Sequence, residues 1–243
     1  MTKALVLAAG LGSRIRGVTG AVPKPLAPIG GAPILAHNLA WLARSGIDEV
    51  WINLHYQGDL IRHAVGDGAA FGLKVHYVFE PDLLGTAGAL RNLPPAAEEP
   101  MWVVYGDNLV RFDLAALEAA HRAAKAEVTI ALFDPDTHAN TGIAGGRVRL
   151  AADGSVEAFV EGAAATTGLV NAGVYLAEPT VLDLIPPGRL VDFGREVFPA
   201  MLAQGRRLRG HVMEPAGFCL GFDTPESFAN GQALIARGAV DLS

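Results

Sequence analysis

Two patterns of hydrophobic positions alternate along the first half of the chain. Short apolar runs, Leu5-Val-Leu-Ala-Ala9, Glu49-Val-Trp-Ile-Asn-Leu54, Lys74-Val-His-Tyr-Val-Phe79, Met101-Trp-Val-Val-Tyr105 and the stretch from Val128 to Phe133, have the length and composition of buried strands. Between them, apolar residues recur at helical spacing. From Pro33 to Ser45, Leu35, Leu39 and Leu42 share a face, Pro33 suits a first turn and Gly46 supplies a stop. Gln57 to Gly66 and Leu114 to Lys125 read as further helices, with Thr86 as the N-cap of another. Repeated strand, helix, strand order predicts right-handed crossovers and a doubly wound α/β fold, a mainly parallel sheet with helices on both faces. Ligands of such sheets sit beyond the carboxyl ends of the strands, so the loops after Ala9, Phe79 and Tyr105 should meet at one crevice.

The second half changes rhythm. Gly146 to Leu150 and Ser155 to Val160 flank Asp153-Gly154, a short-range hairpin signal that adds a small antiparallel flap and makes the sheet mixed. Leu169 to Leu176 is a strand interrupted by polar Asn171, which suits either a bulge with Gly173 or an amide aimed at a ligand. Pro179 to Leu184 and Arg195 to Gln204 read as covering helices, and another helix opens at Pro225. With no linker, low-complexity segment or short-period repeat, residues 1–243 read as a single domain.

Composition narrows the partners. A formal charge of −6 without clustered Lys and Arg argues against nucleic acid. Despite 51% hydrophobic residues, no apolar run reaches membrane-spanning length, and the lone Cys219 has no internal disulfide partner. No charged leader followed by an apolar core opens this sequence, so the expectation is a cytoplasmic protein away from membranes. Its seven His lack zinc-site spacing. The oligomeric state stays open, a homodimer included.

The chemistry concentrates after the first strand. Gly10 and Gly12 make a loop that exposes backbone amides, and Arg14 and the proline-flanked Lys24 bring two cations to it, an arrangement suited to a triphosphate. It is not a P-loop, which needs G-x-x-x-x-G-K-[ST], nor a dinucleotide fingerprint, whose third glycine is replaced by Ile15. The ordered set Leu7, Ala8, Ala9, Gly10, Gly12, Arg14, Thr19, Pro23, Lys24, Pro25 and Leu26 instead resembles the signature of sugar-1-phosphate nucleotidyltransferases, L-A-A-G-x-G-x-R with a later P-K-P-L. The resemblance covers nearly the whole chain. It implies that Arg14, Lys24 and Asp107 are catalytic, and that Leu7, Ala8, Ala9, Gly10, Gly12, Glu80, Gly85 and Thr86 bind the nucleotide, within a nucleotide half (1–133) and a sugar-phosphate half (134–243). Gly85 would let the backbone approach the nucleotide, and Glu80 would face the base. Asn108, Gly142, Glu161 and Asn171 match the positions around the sugar. An acid after a glycine at a strand end, as Asp107 is, also suits a hard cation; the implied cofactor is Mg²⁺, with Asp107 and Asp223 as ligands.

Two departures accompany the match. Gly162 stands where the family places a Lys for the sugar phosphate, which makes Arg189 or Arg195 the candidate substitutes. Near Thr224-Pro-Glu226, one alignment puts the second metal-binding Asp on Gly221 and another on Asp223, the preferred choice, whose bland role would be a helix cap. The implied activity is transfer of a nucleoside monophosphate from a nucleoside triphosphate to a sugar 1-phosphate with release of pyrophosphate. Glu80, which accepts hydrogen bonds only, and the Leu84–Leu90 segment favour GTP and the mannose- or heptose-1-phosphate guanylyltransferase branch. Uridylyl or cytidylyl transfer, or a catalytically silent regulatory relative, are the alternatives.

Overall fold

In a computed structural model, which describes residues 2–15, 17, 20, 22–143, 145–162 and 168–242, the apolar runs become adjacent strands. In chain order the strands are β1 (Thr2–Leu7), β2 (Pro28–Ile29), β3 (Ala32–Pro33), β4 (Ile47–Leu54), β5 (Lys74–Phe79), β6 (Met101–Tyr105), β7 (Asn108–Arg111) and β8 (Val128–Phe133). They continue with β9 (Ala139–Asn140), β10 (Arg147–Leu150), β11 (Val156–Val160), β12 (Leu169–Ala177), β13 (Leu208–Val212) and β14 (Phe218–Gly221). The α-helices are α1 (Ile34–Arg44), α2 (Gly58–Val65), α3 (Gly85–Arg91), α4 (Leu114–Ala124), α5 (Phe198–Ala203) and α6 (Pro225–Ala236).

The main sheet runs β11-β10-β12-β6-β1-β4-β5, with β8 paired to β12 and β13 paired to β8. β6, β1, β4 and β5 are parallel, while β12 is antiparallel to β6, β8 and β10. The fold is therefore a mixed α/β sheet, and the expected flap, β10 with β11, is its outer edge. β1 shows why two helical layers are needed: Ala4 and Val6 point into one buried cluster with Leu35, Leu39 and Ile61, and Leu5 into another with Leu90, Tyr175 and Phe198. Both faces exclude water, each fully buried large apolar side chain contributing about 1.5–3 kcal/mol.

Three local expectations change. α3 begins at Gly85 with Leu84 in the cap position, so Thr86 lies inside the first turn. The reason is long-range: amides of that turn bond a distant segment, Ala87 and Gly88 donating to the Val191 carbonyl at 2.9 and 3.1 Å and Thr86 to Asp192 Oδ1 at 3.2 Å. Pro179–Leu184 forms a 3₁₀ helix. The expected helix from Arg195 is instead a wide π turn, Phe193–Val197, leading into α5, whose first turn holds Pro199, a residue with no amide hydrogen to donate.

A small sheet, β7-β14-β9, does most to assemble the crevice. Its antiparallel register sets Gly221 opposite Asn108. The Gly106-Asp107 turn and the Phe222-Asp223 segment, far apart in sequence, thereby leave neighbouring strand ends.

Candidate functional site

Two cavities open beyond the carboxyl ends of the parallel strands. The first, about 330 Å³, is lined by the whole nominated nucleotide set, from Leu7 through Gly12 to Glu80, Gly85 and Thr86. The second, about 250 Å³, takes Asn108, Glu161 and Asn171 into its wall together with Arg14 and Asp223. Tyr105 and Asp107 line both. Gly142 stays outside: it is exposed, its amide donates to Asn140 Oδ1 at 2.9 Å, and its neighbour Ile143 meets the cavity instead. Thr19 lies outside the described residues.

Where the cavities meet, the Lys24 ammonium donates to Asp107 Oδ2 and to Asp223 Oδ1, each at 2.8 Å. Its side chain is only 4% exposed. Burial opposes the charge, but the two carboxylates outweigh it and raise the Lys24 pKa. Asp223 is held below the usual carboxylate range: burial acts against ionisation, and the Lys24 and Arg14 charges prevail. Arg14, largely exposed, reaches Asp223 at 3.3 Å. The role of helix cap goes to Thr224, whose hydroxyl accepts from the Ser227 amide at 3.1 Å. That frees the Asp223 carboxylate for the crevice. Gly221 has its own account, since a Cβ there would approach Ile143 Cγ1 at 2.7 Å and its amide and carbonyl are tied to Thr141 Oγ1. Two carboxylate oxygens converging on one small cation form a hard donor set that fits a magnesium ion completed by phosphate oxygens and water. Among the described residues, no cluster of three or more His, Cys, Asp or Glu could hold a metal by protein side chains alone.

Glu80 is 1% exposed. Its Oε1 accepts from Asn53 Nδ2 at 2.9 Å and its Oε2 from the Leu84 amide at 3.1 Å, while Asn53 Oδ1 accepts from the Ala8 amide at 2.7 Å. Asn53 lines the first cavity. Sequence reasoning missed it, although a buried amide next to the end of an otherwise apolar strand was the available signal. Gly85 is required by a contact the sequence did not suggest. Its φ is +74°, and a Cβ would stand 2.6 Å from the Val191 carbonyl oxygen, so what approaches it closely is the protein's own backbone.

Beside the second cavity, β12 bulges between Asn171 and Tyr175. Asn171 Oδ1 accepts from the Gly173 amide at 2.9 Å, and its Nδ2 donates to the Tyr175 hydroxyl at 2.7 Å, which donates to Tyr105 at 3.3 Å. Burial pushes the Tyr105 phenol up to about 12. Bulge and cavity wall are thus the same feature. Glu161 has its pKa raised by burial of its carboxyl, which Arg195 partly offsets and Asp192 reinforces. Arg189 and Arg195 line neither cavity; among the described residues, Arg14 is the guanidinium in the wall of the second.

Residues 3–216 match the family model for nucleotidyl transferases. The chain is 38% identical over 241 residues to a mannose-1-phosphate guanylyltransferase of Mycobacterium tuberculosis, covering 97% of this chain and 65% of that protein. It is 31% identical over 218 residues to a UTP–glucose-1-phosphate uridylyltransferase of Synechocystis, covering 84% of this chain and 56% of the relative. The chain thus spans somewhat less than two thirds of these curated relatives. The solved structure of HddC from Yersinia pseudotuberculosis complexed with GMP-PN superposes with a TM-score of 0.81 at 23% identity, covering 97% of this chain and all of that one. Among the described residues, no helix is long and apolar enough to cross a membrane.

Proposed function

The chain belongs to the nucleotidyl transferase family, and from that premise we propose that it transfers a nucleoside monophosphate, GMP by preference, from the triphosphate to a sugar 1-phosphate and releases pyrophosphate. The observation that carries this reading is the meeting of Lys24 with Asp107 and Asp223 where two adjoining cavities share a wall.

The acceptor phosphate is already anionic near neutral pH, so its attack on the α-phosphorus needs no general base. Positioning and charge neutralisation supply the catalysis. The amides of the Ala8–Gly12 loop, Arg14 and Lys24 hold the triphosphate and take up charge as pyrophosphate departs. Asp107 and Asp223 would hold a Mg²⁺ ion, which would supply positive charge against the phosphates. In the free protein Lys24 pairs with both carboxylates and offsets half of their charge; phosphate oxygens give its ammonium an alternative partner. Asn108, Glu161 and Asn171 line the sugar side, and Arg14 supplies the cation that Gly162 lacks.

Glu80 and the Mycobacterium tuberculosis relative favour GTP, the relative with mannose 1-phosphate as acceptor, and the resemblance of the Leu84–Leu90 segment adds heptose 1-phosphate. The Synechocystis relative supports UTP as the second reading. Pyrophosphate release should be measured with GTP, UTP, CTP and dTTP against mannose, heptose and glucose 1-phosphates. GTP with mannose or heptose 1-phosphate should be the most efficient combination, and Asp107→Asn should lower its turnover by about two orders of magnitude. Higher efficiency with UTP for every acceptor overturns the base assignment; no release from any combination overturns the activity.

A further inference from the structure

The relay from Ala8 through Asn53 and Glu80 to Leu84 ties together the ends of three adjacent strands, β1, β4 and β5. Each donor in it is fixed. The Ala8 amide can only donate, so the Asn53 oxygen must face it and the Asn53 NH₂ must face Glu80. Glu80 receives donors at both oxygens, from Asn53 and from the Leu84 amide, so a Gln at this position would set its own NH₂ against one of them. The relay therefore requires a Glu in place of a Gln for reasons internal to the protein.

What it leaves over is directional. Asn53 Nδ2 has a second hydrogen, and each Glu80 oxygen has a remaining lone pair, while both side chains line the nucleotide cavity. The wall presents a donor beside two acceptors. Guanine offers the complement, with O6 accepting beside N1–H and the 2-amino group. Adenine has an amino donor in place of O6 and an acceptor at N1, so it fails at both positions. Cytosine fails in the same way, and uracil places O2 against an acceptor.

We propose that Asn53 is a specificity-determining residue, donating to O6 of guanine while Glu80 accepts from N1–H and the 2-amino group. This rests on the guanylyl reading above and adds to it a second residue with a defined partner atom.

The direction of the relay supplies the test. Asn53→Asp combined with Glu80→Gln keeps the net charge and the acceptor for Ala8. The new amide at position 80 donates to the new carboxylate at position 53, and its oxygen still accepts from Leu84. The edge facing the cavity is then reversed, acceptor beside donor, which complements adenine. Dissociation constants for GTP and ATP should be measured by calorimetry on wild type and the double variant, with pyrophosphate release followed in parallel. The ratio of GTP to ATP affinity should shift toward ATP by about 100-fold or more, because two base contacts change sign. The wild type provides a second measurement that needs no mutant fold: the triphosphate of 2-aminopurine riboside, which lacks O6 and N1–H, should bind at least roughly tenfold more weakly than GTP.

An unchanged ratio in a folded double variant, or equal wild-type affinity for GTP and the 2-aminopurine analogue, overturns the proposal. If GTP binds through this edge but no sugar 1-phosphate releases pyrophosphate, the transferase reading fails and the Asn53 assignment stands. Pyrophosphate release with an unaltered ratio is the converse. A wild type that binds no nucleotide removes both.

Discussion

An ammonium shared by two carboxylates holds only while all three groups keep their charge. The two ends of the pH scale therefore act on different partners. Asp223 has a lowered pKa in the fold, so its contribution is complete above the usual carboxylate value, about 3.9, and disappears as pH falls through its lowered value. Lys24 has a raised pKa, so its contribution is complete below its ordinary 10.5 and is lost only as pH climbs through the raised value. Between those limits this cluster should be insensitive to pH. Asp223→Asn should flatten the acid limb of a melting-temperature profile while leaving α6 intact, because Thr224 provides the cap. Equal acid slopes in wild type and variant would disconnect Asp223 from Lys24. The residue types at positions 24 and 107 pointed to phosphate and metal chemistry directly. Asp223 came in as a second metal ligand through the family resemblance, but its ion pair with Lys24 did not, because that depends on the pairing of β7 with β14.

At the scale of elements, the segment Arg189–Phe193 is laid across the start of α3. Val191 accepts the Ala87 and Gly88 amides and donates to the Leu84 carbonyl, and Thr86 Oγ1 is held between Asp192 and the Phe193 amide. Gly88 shares the constraint on Gly85, since a Cβ would stand 2.6 Å from the Arg189 carbonyl oxygen. Gly85→Ala should accordingly destabilise the protein by about 1–3 kcal/mol, through strain at positive φ and displacement of Val191, and should weaken nucleotide binding with it. Urea unfolding at constant m-value would measure the first effect; a variant of wild-type stability would show that the segment yields without cost. The sequence signalled a special glycine here, but the space was reserved for backbone more than a hundred residues away, which local patterns do not encode. The Asn171–Gly173 bulge was legible for the opposite reason: a polar residue and a glycine interrupting an apolar strand are adjacent in sequence.

For the whole molecule, the parallel half followed from strand and helix rhythm because each crossover is a local unit. The insertion of β12 between β6 and β10 was not legible, as antiparallel pairing of distant strands leaves no periodic mark on either. That insertion has a consequence for ligand response. β6 is hydrogen-bonded to β1 on one side and β12 on the other, and it ends at Tyr105, which lines both cavities. Among the described residues the floor beneath the two cavities is one continuous plate, hydrogen-bonded from β1 through β6 to β12, which resists a swing of one half toward the other. Small-angle X-ray scattering with both sites filled should therefore give a radius of gyration within about 1 Å of the free protein's, against roughly 18 Å expected for a compact chain of this length. A contraction of several ångströms would mean that the plate itself bends.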